Sequence, residues 1–258
     1  MGLFNMHYDR PGPGVNPDTP RKKGAARFFE VLGRDLGAFW CAGMLALLSA
    51  LPFILGLGLS LATHAIFPML LAGALGGMIA APQLTGLHDT ILRSLRDEPG
   101  YWWATYRRVW KRNAKGSLLP GAVCGLILGM QVFSAWHMAT NQGGMLSVLL
   151  IGLILLGGLA QYIFAQVALL DMPFPSLLKN AVLLFFGYLP RTLLGVLWQG
   201  LYWGAIVLFF PLSVPVLLAT SFWLPAVLSL MAIYPPLEKS FNIEETIRKM
   251  RDDEMGGH

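Results

Sequence analysis

The chain has 258 residues, of which 55% are hydrophobic and 13% charged, with a formal net charge of +5 and a mean hydropathy of +0.57. Water-soluble domains carry about a quarter of their residues as Asp, Glu, Lys or Arg, so this composition excludes an ordinary soluble globule and, more firmly, a disordered chain. Long apolar runs holding 29 glycines and 8 tryptophans point to a bilayer as the solvent.

Residues 1–37 are expected to form an N-terminal strap and a lead-in helix. Pro11, Pro13, Pro17 and Pro20 exclude helix from the strap. Helix is predicted to begin near Ala25, and Phe28, Phe29, Leu32 and Leu36 then recur at helical spacing as a membrane-surface lead-in. No short apolar core followed by a small-residue cleavage site is visible, so the first span is expected to be an uncleaved anchor.

Three blocks then run without an acidic or basic side chain: 53 residues over 36–88, 55 over 116–170 and 46 over 192–237. A helix rises about 1.5 Å per residue and must cross about 30 Å of hydrocarbon, so one crossing takes roughly 20 residues. Each block fits two crossings and a turn. The predicted fold is an all-α, polytopic membrane bundle of six transmembrane helices in three hairpins, occupying 38–235. The hairpins pair 38–57 with 66–87, 117–139 with 145–170, and 192–210 with 214–234, turning at 140–144 in the second and 211–215 in the third. Pro52 predicts a kink in the first span.

The connections at 88–116 and 171–191, the strap and the tail at 236–258 hold the charges. Seven basic residues lie between the first two blocks: Arg93, Arg96, Arg107, Arg108, Lys111, Arg112 and Lys115. The turns inside the blocks have none. The positive-inside rule then places both termini and both connections in the cytoplasm of a plasma-membrane protein. The basic residues flank spans, where topology and attraction to anionic headgroups account for them without nucleic acid. Residues 243–250 are read as a short cytoplasmic helix.

Within the first connection, Trp102, Trp103, Tyr106, Val109 and Trp110 fall on one arc of a helix, and Arg107, Arg108, Lys111, Arg112 and Lys115 on the opposite arc. With Asn113, they predict an interfacial helix in the headgroup plane, its aromatic side down, offering a lipid or partner interface. Residues 176–190 read as a second surface helix.

Gly121, Gly125 and Gly129 form a four-residue stripe, with Gly73/Gly77 and Gly200/Gly204 as shorter versions. Such stripes let helix backbones approach closely in lipid, and packing inside the chain's own bundle is preferred over a partner's docking face. Gln131, Gln161 and Gln199 are polar residues inside spans: they either bond to neighbouring helices or line a solute passage. No span has an ionisable group at its middle, which counts against an autonomous pump.

His64, His88 and His137 lack metal-ligand spacing, and Cys41 and Cys124 lie in apolar stretches. Asp89, Asp97 and Glu98 beside Arg93 and Arg96 read as a solvated ion-pair network. No nucleophile elbow, phosphate loop or dinucleotide fingerprint occurs. No catalytic residue, cofactor or metal is expected.

Three runs carry a resemblance: Pro11-Gly12-Pro13-Gly14-Val15 with the following Pro20-Arg21-Lys22-Lys23-Gly24, the aromatic-rich stretch from Arg27 to Gly37, and Trp110-Lys111-Arg112-Asn113-Ala114-Lys115-Gly116-Ser117. In these runs, and in span layout over nearly the whole chain, the sequence resembles the YesL-like bacterial membrane proteins. The resemblance implies a multi-span plasma-membrane protein without catalytic residues, of a kind often linked with carbohydrate ABC importers. The chain lacks the Glu-Ala-Ala and distant-Gly signature of an importer permease. The expectation is therefore an accessory or assembly partner of such an importer, touching its permease or ATPase. A small-solute transporter or channel, and a module binding anionic lipid, are the alternatives.

Overall fold

The computed structural model describes residues 21–98, 100–141, 146–247 and 249. The strap at 11–15, most of the turn at 140–144 and most of the tail lie outside these residues. Everything regular among the described residues is helical. Helix α1 is Gly24–Thr63, α2 is Ile66–Leu71, and a wide π-type turn over Ala72–Gly76 leads without interruption into α3, Gly77–Leu95. Helix α4 is Trp102–Asn141, α5 is Leu146–Leu169, α6 is Phe174–Gly187 and α7 is Leu189–Leu208. Helices α8, Val214–Thr220, and α9, Trp223–Phe241, complete the bundle, and residues 243–247 add one more helical turn.

Among the described residues four helical stretches are long and apolar enough to cross a membrane. The bent pairs α6–α7 and α8–α9 bring the number to six if each pair is one span. The chain is thus an all-α, multi-pass membrane bundle. Its exposed surface fits a lipid solvent. Leu48, Ile54, Leu55, Phe67, Ile151, Leu201, Val207 and Leu208 all face outward, where hydrocarbon costs them nothing.

The buried core gathers at one end. Phe39, Leu87, Ile91, Tyr162, Leu177, Leu230, Ile233 and Leu237 pack there, close to the ionic residues of the helix ends. Helix α1 joins this core through Phe39, Ala42, Ala46, Leu47 and Ala50, a stripe at helical spacing. Its bend is not at Pro52, through which the backbone stays helical, but at Asp35, with φ −121° and ψ 15°. The break there separates the lead-in from the span, as the change in composition near residue 37 predicts.

The glycine stripes explain how α3 and α4 meet. A Cβ on Gly77 would run into the Gly121 carbonyl, and one on Gly73 would come within 2.9 Å of the Leu126 Cα and 3.1 Å of the Gly125 carbonyl. A Cβ on Gly129 would lie 3.2 Å from the Met69 sulfur. Gly73, Gly77, Gly121, Gly125 and Gly129 therefore form the seam of the bundle itself. Gly200 and Gly204 do not belong to it: a Cβ on either meets nothing within 4 Å, because both lie on the outer face of α7.

Two breaks shape the last spans. Helix α6 meets α7 at 101° across Tyr188, two residues before Pro190, so α6 lies nearly crosswise to the span that follows it. The Thr192 hydroxyl lies 3.4 and 3.2 Å from the Phe185 and Tyr188 carbonyls on either side of the break. The single span expected over 214–234 is bent by 55° between α8 and α9. Ser221 is held at φ 40° at the break, so its carbonyl lies outside the hydrogen-bond ladder of α9, which begins with the Ala226 N–H donating to the Phe222 carbonyl at 3.3 Å. The Ser221 carbonyl accepts the Tyr202 hydroxyl at 2.8 Å, while the indoles of Trp40 and Trp223 donate to the Leu218 and Ala219 carbonyls at the end of α8.

Candidate functional site

The chemistry gathers at the end of the bundle where α3 stops. The last turn of a helix leaves carbonyls without partners, and here three arginines from the start of the chain take them. Arg34 donates to the Ser94 carbonyl at 2.5 Å, Arg27 to that of Leu95 at 2.9 Å and Arg21 to that of Arg96 at 3.0 Å. Asp97 follows with φ 59°, a left-handed conformation that Asp tolerates better than most residues. The same three guanidinium groups pair with its carboxylate, at 2.8 Å for Arg21, 2.8 Å for Arg27 and 2.5 Å for Arg34.

Arg21 reaches further, to Glu244 at 2.6 Å. The Tyr234 hydroxyl donates to the same carboxylate at 2.7 Å. One side chain thus clamps the N-terminal arm, the α3–α4 connection and the helical turn after α9. Burial would push the Asp97 carboxyl up, but hydrogen bonds from Arg27 and Arg34 outweigh it and hold it below the usual range. For Glu244, burial is likewise outweighed by the bonds from Arg21 and Tyr234, with a lowered result.

A second set lies deeper: Arg93 pairs with Asp89 at 2.7 Å and with Glu98 at 3.0 Å, and Arg96 with Glu98 at 2.7 Å. This is the ion-pair network expected from the sequence, with one correction. Only part of it is solvated: the Asp89 and Arg96 side chains are each 3% exposed because α4 and α9 cover the end of α3, whereas Arg93 is 33% exposed and Asp97 belongs to the first set. A cavity of about 60 Å³ lined by Asp35, Asp89, Glu98 and Trp102, among others, opens beside it. The Trp102 indole N–H is buried without a hydrogen-bond partner among the described residues. Among the described residues no group of three His, Cys, Asp or Glu is placed to hold a metal ion. His88 is turned inward, bonded through Nδ1 to the Leu84 carbonyl at 2.7 Å.

The connection expected as an interfacial helix of its own is not a separate element. Residues 102–141 form one 40-residue helix, so the cationic and aromatic turns continue the span's own axis. The expected division of faces holds, but the aromatic face is turned to protein. Tyr106 is buried against Gly86, donates to Gln83 and packs beside Trp102 with ring centroids 5.4 Å apart. Trp110 and Asn113 are half-buried on the same side. Arg112 reaches the Ala168 carbonyl at 3.2 Å. Trp103, Arg107, Arg108, Lys111 and Lys115 are exposed, and among the described residues none of these four cations has an ion-pair partner.

The structure does not bring the three glutamines together. Gln131 lies against Gly152 between α4 and α5, Gln161 bonds to the Thr192 carbonyl between α5 and α7, and Gln199 bonds to Ser229 between α7 and α9. Sequence reasoning missed Asp97 as a hub, and the Tyr202–Ser221 bond. Nothing local marks either one.

Comparison with protein-family models, with curated proteins and with solved structures found no match.

Proposed function

We propose that this is a non-enzymatic, multi-pass protein of a bacterial plasma membrane, with both termini cytoplasmic, serving as an accessory or assembly partner of a carbohydrate ABC import system. The observation that carries this reading is a rigid platform with an unused face. The Arg21–Asp97–Glu244 clamp fixes the charged end, and at the start of α4 Tyr101 and Trp103 remain 77% and 46% exposed, Trp103 resting on Tyr106 with ring centroids 6.2 Å apart. Apolar aromatic surface next to unpaired cations suits a protein partner. The resemblance to YesL-like proteins supports an importer as that partner, and the basic residues around the spans support the orientation. The three glutamines, held at three different interfaces, give a solute passage no common lining.

The test is recovery of the tagged protein from its native membrane in mild detergent. A permease or ATPase subunit is expected to accompany it, and Trp103→Ala to release that subunit while the protein still melts in one cooperative transition. Recovery alone, with full importer activity in cells lacking the protein, overturns the reading.

A further inference from the structure

We infer that α4 carries a binding site for anionic phospholipid, built from Arg108, Lys111 and Lys115. The inference goes beyond the importer reading and does not depend on it; it needs only that α4 crosses the bilayer. The argument begins with charge. At this end of the bundle Arg21, Arg27, Arg34, Arg93 and Arg96 are each neutralised by Asp or Glu at 3.0 Å or less. Arg107, Arg108, Lys111 and Lys115 are exposed and, among the described residues, unpaired, so the acids paired at this end serve the other cluster.

Depth decides what meets them. The uncharged block of α4 begins at Gly116. At about 1.5 Å per residue, Lys115 lies about 1.5 Å and Lys111 about 7.5 Å beyond that boundary. Both fall in the headgroup layer, which is roughly 5–8 Å thick on each side of the hydrocarbon. Arg108 stands about 12 Å out, and its long side chain reaches back toward the phosphates. Spacings of three and four residues put the three cations on one face, opposite the face that Tyr106, Val109 and Ser117 bury. Because the helix runs along the span's axis rather than in the membrane plane, the site is a column that follows one lipid headgroup from glycerol to phosphate. The choice of an anionic lipid over an acidic protein segment rests on this depth. Trp103, about 20 Å from the boundary, lies beyond the lipid and is left for a protein.

The experiment uses the purified full-length protein in nanodiscs of equal phosphatidylglycerol and phosphatidylcholine, with retained lipids counted by native mass spectrometry. The wild type is expected to hold phosphatidylglycerol in preference. Arg108→Gln/Lys111→Gln/Lys115→Gln is expected to weaken that binding about 100-fold, and Lys111→Gln alone about fivefold. Lys22→Gln/Lys23→Gln/Lys239→Gln, which removes the same charge elsewhere, should retain the preference. The triple variant removes exposed side chains without partners, and a melting curve verifies that it folds. No preference in the wild type, or a preference that the triple variant keeps or that both triple variants lose equally, overturns the site.

Discussion

The Tyr202 hydroxyl donates to the Ser221 carbonyl at 2.8 Å, tying α7 to the break between α8 and α9. Ser221 is fully buried, so without this bond its carbonyl would face hydrocarbon and protein with no partner. Tyr202→Phe is expected to destabilise the bundle by about 1–3 kcal/mol. Thermal melting in detergent reads the loss, and an unchanged melting temperature contradicts the assignment.

The glycines divide into two classes with opposite expectations. Gly77→Ala places a methyl against the Gly121 carbonyl and should cost about 1–3 kcal/mol, as overpacking does. Gly200→Ala and Gly204→Ala meet nothing and should be neutral or stabilising, since alanine favours helix by about 0.5–1 kcal/mol. The same melting assay separates them; equal effects at 77 and 200 would refute the seam.

Asp97→Asn leaves Arg21, Arg27 and Arg34 without the carboxylate they share. Arg27 is nearly buried while Asp97 is 34% exposed, so the cost should be about 2 kcal/mol, below the 3–5 kcal/mol of a fully buried pair. The arm ahead of α1 should loosen, and trypsin should cut faster at Lys22 and Lys23. Cleavage at the wild-type rate would deny the clamp its role.

The clamp also has a defined pH dependence. Asp97 and Glu244 are lowered from ordinary values of 3.8 and 4.5. A carboxylate with a depressed folded pKa contributes stability that is complete above its unfolded value and disappears as pH falls through the folded one. Spin-label mobility at Lys23→Cys should therefore be constant through the neutral range and rise only on acidification below about pH 4. A transition near pH 6 would point to some other group.

Orientation is open to direct chemistry. In a background carrying Cys41→Ala and Cys124→Ala, an impermeant maleimide applied to intact cells should label Leu212→Cys, in the exposed turn between α7 and α8. It should not label Lys111→Cys. The reverse pattern would invert the topology and remove the basis for a cytoplasmic partner.

What could be read in advance follows from the kind of information involved. Three blocks without charge define the membrane crossings because a missing ion is a solvation fact, independent of which helix packs on which. The Gly73/Gly77 and Gly121/Gly125 seam was legible for the same reason that its outward twin at Gly200 and Gly204 was misread: spacing shows that backbones could approach, and only the neighbour shows whether one does. The Asp97 hub joins Arg21, Arg27, Arg34 and, through Arg21, Glu244, which is 147 residues away from it. No local pattern encodes such a meeting. The aromatic face of α4 was assigned to lipid because periodicity gives the existence of a buried side but not its partner, which is α3.

Helix α4 runs unbroken for about 60 Å, and most of its neighbours do not. It is fastened to α3 at two levels, by Tyr106 against Gly86 and by Gly121 and Gly125 against Gly77 and Gly73. The shaft therefore acts as a splint, holding the cationic turns in line with the span.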